Sequence, residues 1–92
     1  MKSPDDVCRD YFHKKLNLTV KPMDENYILI EGDTDSLEFL GKLIIAQANF
    51  QDDCGFQIAP HSAGCAHFSK DAELGFYIHR LPCEHEQINN SK

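Results

Sequence analysis

No tryptophan occurs in this sequence, methionine occurs twice, and no apolar run approaches the roughly 20 residues that a membrane-spanning helix needs. No apolar run follows Met1-Lys2-Ser3-Pro4-Asp5-Asp6, so a secretory signal is not expected and the cytoplasm is the expected location. Basic residues are the scarcer sign: nine Lys and Arg stand against fifteen Asp and Glu, for a net charge of −6. That balance argues against nucleic acid or an anionic membrane as the main partner, because both are bound through a basic footprint. There is no C-x2-C pair, no G-x-S-x-G, no P-loop and no dinucleotide fingerprint, so no catalytic set is assigned and a non-enzymatic protein is the expectation. Low-complexity segments and structural repeats are also missing.

What remains is enough for one core. Ninety-two residues, 41% of them hydrophobic, make one α+β domain over 1–83 and a polar C-terminal tail over 84–92. Ser3 to Lys15 reads as a helix, with Ser3 as cap, Pro4 in the first turn and Asp5 and Asp6 at the end of the dipole that favours anions. Leu16 to Lys21 alternates as a half-buried strand, Pro22 to Asn26 turns, and Tyr27 to Glu31 returns. Asp35 with Glu38 three residues on resembles a capping box for a helix that runs to about Asn49. That helix is apolar over a wide arc. Leu37, Leu40, Gly41, Ile44 and Ala48 share one face, and Phe39, Leu43, Ala46 and Phe50 an adjoining one; one face meets the sheet, and the other has to be covered by the N-terminal helix, a partner chain or an extra loop. Cys54 to Ala59 and Leu74 to Leu81 read as strands. Between them lies a loop, 60–73, with room for a short strand near Cys65 to Phe68. The expected architecture is α-β-β-α-β-β, an open sheet of four or five strands with helices packed on one face.

Charge is placed unevenly. Residues 24–53 carry eight acidic groups against Lys42 alone. Asp33, Asp35, Glu38, Asp52 and Asp53 are the candidate surface for a basic protein partner, since complementary potentials speed association and make it salt-sensitive. Plain solubility is the competing explanation for the same charge.

Cysteine and histidine supply the other candidate site. Cys8, Cys54, Cys65 and Cys83 are expected as free thiols in a reducing compartment. His61 to His67 and His79 to His85 both read H-x3-C-x-H. Thiolate and imidazole are the donors that zinc and other borderline-soft metals prefer, and residues two apart on an extended segment face the same way. Cys65, His67, Cys83 and His85 are therefore the candidate zinc-type ligands. A thiol enzyme built on Cys54 or Cys65 with a nearby histidine is the third reading.

The segments ILIEG (28–32), DTDSLEFLGKLII (33–45), GFQIAP (55–60) and ELGFYI (73–78) resemble one of the small immunity-protein families of bacterial polymorphic toxin systems, the thirty-second in the usual count. The resemblance covers Tyr27 to Leu81. It implies a non-enzymatic protein that binds and neutralises a partner toxin, and an acidic immunity protein would face a basic one. The primary expectation is thus a protein-binding domain, monomeric or homodimeric, with a metal-binding protein as the alternative.

Overall fold

The first helix begins where its capping residues put it. In the computed structural model, which describes residues 2–83, α1 (Pro4–Asp10) is opened by Ser3. The Ser3 hydroxyl accepts from the Asp6 N–H at 3.1 Å and the Asp6 carboxylate accepts from the Ser3 N–H at 3.1 Å. This exchange satisfies two of the amides that a helix start leaves without partners. The helix stops five residues earlier than the capping and charge pattern suggests. Tyr11 ends it: its N–H donates to the Val7 carbonyl at 3.3 Å, and the Phe12 N–H turns back to the Arg9 carbonyl at 3.1 Å. Val7 and Tyr11 are buried while Phe12 stands 78% exposed, so the apolar stripe is one pair wide. Stopping there lets the chain turn and carry Leu16 and Leu18 into the core in extended form.

β1 (Thr19–Asp24) and β2 (Tyr27–Glu31) form an antiparallel hairpin in which Val20 lies opposite Ile30 and Pro22 opposite Ile28. The strand runs past Pro22 because the register shifts between Pro22 and Asp24, a bulge that accommodates a residue with no N–H to donate. The turn is correspondingly tight, with the Asn26 N–H donating to the Asp24 carboxylate at 2.8 Å.

α2 (Thr34–Asn49) is capped by Asp33, two residues before the expected Asp35; the Asp33 carboxylate accepts from the Ser36 N–H at 2.9 Å. Of its two apolar faces, the one bearing Phe39, Leu43 and Ala46 is buried, together with Ser36 and Gln47. α1 covers it through Tyr11, whose ring meets Phe39 edge-on at 5.4 Å. Leu37, Ile44 and Ile45 of the remaining arc are each about half exposed or more. An apolar cleft of about 180 Å³ lies between α2, the hairpin and the last strand, lined by Ile28, Ile30, Leu40, Ile44 and Phe76 among others.

β3 (Gly55–Ile58) and β4 (Phe76–His79) pair antiparallel, Gly55 opposite His79 and Ile58 opposite Phe76. They do not join the first hairpin. The expected open sheet of four or five strands is replaced by two separate two-stranded sheets, although the helix and strand order stands. The reason is competition for the edge of β1. The Leu18 N–H donates to His67 O, the Ser69 N–H to Leu18 O, and the Glu73 and Leu74 N–H groups both to Val20 O. The 67–74 segment therefore occupies the edge that a third strand would need. Cys65–His67 forms a single 3-10 turn instead of a strand, and only Phe68 bridges to Leu18.

Gly75 lets the chain entering β4 lie directly against the end of β3. A Cβ there would sit against the Ile58 carbonyl oxygen and 2.5 Å from Ala59 Cα, both backbone atoms that cannot swing aside. Gly75→Ala is expected to destabilise the fold by about 1–3 kcal/mol through this overpacking, read as a lower denaturant midpoint. An unchanged midpoint would mean that the two chains are not held this close.

The Asp33 cap gives the fold an acid-sensitive contact. The backbone N–H of Ser36, and next its hydroxyl, hold the Asp33 carboxyl below the ordinary carboxylate range. A folded value below the unfolded one means that the contribution is complete above roughly pH 4 and is lost as the pH falls through the depressed value. Asp33→Asn keeps an acceptor at the cap and removes the charge. It is expected to flatten the acid side of the stability–pH curve, measured by unfolding between neutral and about pH 2.5. An unaltered acid limb would show that the cap carries none of it.

Candidate metal centre

The second hairpin does more than pair strands. Beyond the Gly55–His79 pair, the Arg80 N–H donates to the Cys54 carbonyl at 2.8 Å, so the chains stay in register one step past the ladder. Three residues on from Arg80 the chain comes back with Cys83. Cys54 and Cys83 lie with Cα atoms 5.8 Å apart and are joined as a disulfide, where free thiols were expected. That Cα separation is ordinary for a bridged pair. His79 completes the group: one ring nitrogen of His79 and the two Sγ atoms all lie within 4.8 Å of one another. Both cysteines are buried and the histidine is half-buried. Tyr77, two residues back along β4 and on the same side of the strand, stacks on the His79 ring at 5.7 Å.

Arg80 ties this corner to the end of α2. Its Nη1 donates to three carbonyls, Phe50 at 2.5 Å and Gln47 and Asp53 at 3.3 Å each. α2 has no basic residue in its own last turn. The guanidinium supplies, from just beyond β4, the positive charge that a helix C-terminus favours. Gln47, fully buried, adds its side-chain amide to Asp53 O at 3.2 Å. The loop that delivers Cys54 is thus held from both sides.

The four ligands expected from the sequence are not assembled together. Cys83 joins Cys54 and His79 rather than Cys65 and His67. Cys65 is exposed at the start of the 3-10 turn. His67 is buried as a core aromatic, stacked on Phe39 at a centroid distance of 4.6 Å and 6° between planes, with Nδ1 against Gly64 O at 3.3 Å. His85 and the 84–92 tail lie outside the described residues. The second H-x3-C-x-H segment nevertheless contributes its first two positions, His79 and Cys83. Cys54 was missed as a ligand because it lies far away in sequence. The signal that finds it is hairpin register: pairing 55 with 79 sets 54 beside 80.

The acidic residues form two groups. Asp33, Asp35 and Glu38 stand at the start of α2, Asp33 engaged as cap and Asp35 paired with Lys14 at 3.6 Å. Asp52 and Asp53 follow its far end, and the 16-residue helix between them is about 24 Å long.

Two thiols lie outside the centre. Burial, and next the charge of Asp5, push the Cys8 thiol up to about 11, whereas Cys65 is open to solvent. No helix among the described residues is long and apolar enough to cross a membrane. Comparison with protein-family models, with curated proteins and with solved structures finds no match for the chain.

Proposed function

We propose that this protein binds a divalent, borderline-soft metal ion of the zinc type through Cys54, His79 and Cys83. The observation that carries the reading is the convergence of two sulfurs and an imidazole nitrogen within 4.8 Å of one another, from three separate points of the chain. Two thiolates and one imidazole are a donor set that zinc accepts with tetrahedral geometry, the fourth position going to water or to an outside ligand. Burial favours the bound state, since neutralising two thiolates with a dication removes the cost of burying their charge. A cytoplasmic setting, which keeps thiols reduced, fits such a site.

The test is zinc titration of the reduced protein under inert gas, followed by native mass spectrometry. One zinc ion per chain is expected, lost in Cys54→Ser and in Cys83→Ser and retained in Cys65→Ser. Retention in Cys54→Ser with loss in Cys65→Ser would move the site to the pair of H-x3-C-x-H segments. Failure of the reduced wild type to bind zinc would overturn the proposal.

A second reading, an immunity-like domain that binds a basic protein partner, is favoured by one observation. Residues 24–38 hold Asp24, Glu25, Glu31, Asp33, Asp35 and Glu38 and no basic residue. They flank β2, which among the described residues pairs only with β1, and which exposes about half of Ile28 and Ile30. A free strand edge is a template for pairing. This reading expects a captured partner to be basic and to dissociate as salt is raised; an acidic partner, or affinity indifferent to salt, would overturn it.

A further inference from the structure

We infer that the centre is redox-gated: the same two sulfurs that hold the metal are the pair that closes into the Cys54–Cys83 disulfide, so oxidation by a hydroperoxide expels the metal and reduction by a dithiol restores the site. This rests on the metal-binding reading above and adds its regulation. The geometry is that of two exclusive states in one place. Cα atoms 5.8 Å apart suit a disulfide without backbone movement, and both Sγ atoms lie within 4.8 Å of the His79 nitrogen. Once bonded to each other the sulfurs are no longer thiolates, and His79 alone does not retain a zinc-type ion.

The chemistry balances in two steps. With hydrogen peroxide as the hydroperoxide, one thiolate attacks a peroxide oxygen, the O–O bond breaks and hydroxide leaves, giving a sulfenic acid. The second thiolate attacks that sulfur and displaces a second hydroxide. Two electrons pass from the sulfurs to the peroxide, and the products are the disulfide, free metal ion and two hydroxides. In the reverse direction a dithiol exchanges with the disulfide through a mixed disulfide, and rebinding the metal releases the thiol protons. The other cysteines offer no equivalent pair: Cys8 is half-buried on α1 and Cys65 is exposed on the 3-10 turn, and both are free.

The experiment uses the reduced, zinc-loaded full chain, hydrogen peroxide as oxidant and a coloured zinc chelator as reporter, with denaturing mass spectrometry of the protein. One zinc is expected to be released for each disulfide formed, with the loss of two hydrogens mapped to Cys54 and Cys83, and dithiothreitol should restore binding. A Cys8→Ser/Cys65→Ser double variant, altered only outside the centre, should behave identically. His79→Ala should bind zinc at least about tenfold more weakly and still form the disulfide. Zinc bound by the reduced protein but retained after the disulfide has formed, or peroxide consumed at Cys65 while Cys54 and Cys83 stay reduced, would overturn the gate and leave the metal site standing. No zinc in the reduced protein would remove the metal site itself.

Discussion

Phe39→Ala is expected to lower stability by about 3–5 kcal/mol, the usual cost of truncating a fully buried phenylalanine. A chain of 92 residues has a total of roughly 5–14 kcal/mol to lose. Phe39 has no exposed surface and is the largest such side chain in the structure. Its ring is also the meeting point of three parts of the chain. Tyr11 of α1 approaches edge-on at 5.4 Å, and His67 of the 3-10 turn stacks on it at 4.6 Å. Truncation therefore opens a cavity and removes two ring contacts, each worth about 0.5–1.5 kcal/mol beyond area alone. Neither neighbour is free to fill the space: Tyr11 closes α1, and the carbonyl of His67 accepts from Leu18. Chemical denaturation read by circular dichroism gives the loss directly. A cost below about 1.5 kcal/mol would show that this face of α2 is not the core. Phe39→Leu, which keeps most of the volume, should recover more than half of the difference.

That core was legible in kind but not in placement. The sequence makes α2 apolar over so wide an arc that two faces compete, and periodicity does not choose between them. The structure chooses through α1 and through Ser36, which is fully buried at the start of the stripe. The Ser36 hydroxyl accepts from the Asn17 N–H at 2.9 Å and donates to the Asn17 side-chain oxygen at 3.0 Å. A serine counts as polar in any hydropathy pattern, so the residue that orients the helix is invisible to it. Strand positions were legible for the same reason in reverse: alternation in Leu16 to Val20 and in Leu74 to Ile78 marks extended chain. It does not say which edge each segment pairs with. The amides of Ser69, Glu73 and Leu74 reach β1 first and divide the sheet.

The candidate centre divides the same way. His79 and Cys83 are close in sequence and stood out by spacing, whereas Cys54 enters only through the register of a hairpin whose strands are separated by a long loop. His67 was drawn toward metal binding by its neighbour Cys65, yet its apolar stacking on Phe39 makes it part of the core. Spacing reports local geometry well on an extended segment; the 3-10 turn at Cys65–His67 breaks that condition.

Arg80→Ala is expected to cost about 3 kcal/mol, more than a surface arginine normally carries. One guanidinium nitrogen serves the carbonyls of Gln47, Phe50 and Asp53, and the N–H of the same residue holds Cys54. Removing the side chain leaves those carbonyls at a partly buried helix end without their charged donor, and charge-assisted hydrogen bonds are worth about 1.5–3 kcal/mol where neutral ones are worth about 1. The Asp53 carbonyl keeps the Gln47 side-chain amide at 3.2 Å and the Gln47 carbonyl keeps the Phe50 N–H at 3.4 Å, neither of them charged. Arg80→Lys, with a charge but no planar fork, should recover about half of the loss. The substitution also separates fold from site. Cys54 stays tethered by the backbone of residue 80, but the 50–53 loop ahead of it is released from the end of α2. The Cys54–His79–Cys83 group should therefore bind zinc more weakly in Arg80→Ala even at temperatures where the fold is intact, with calorimetry on the reduced protein as the measurement. Equal affinity in Arg80→Ala and wild type would mean that the hairpin alone positions the three ligands, and that the arginine only closes the helix.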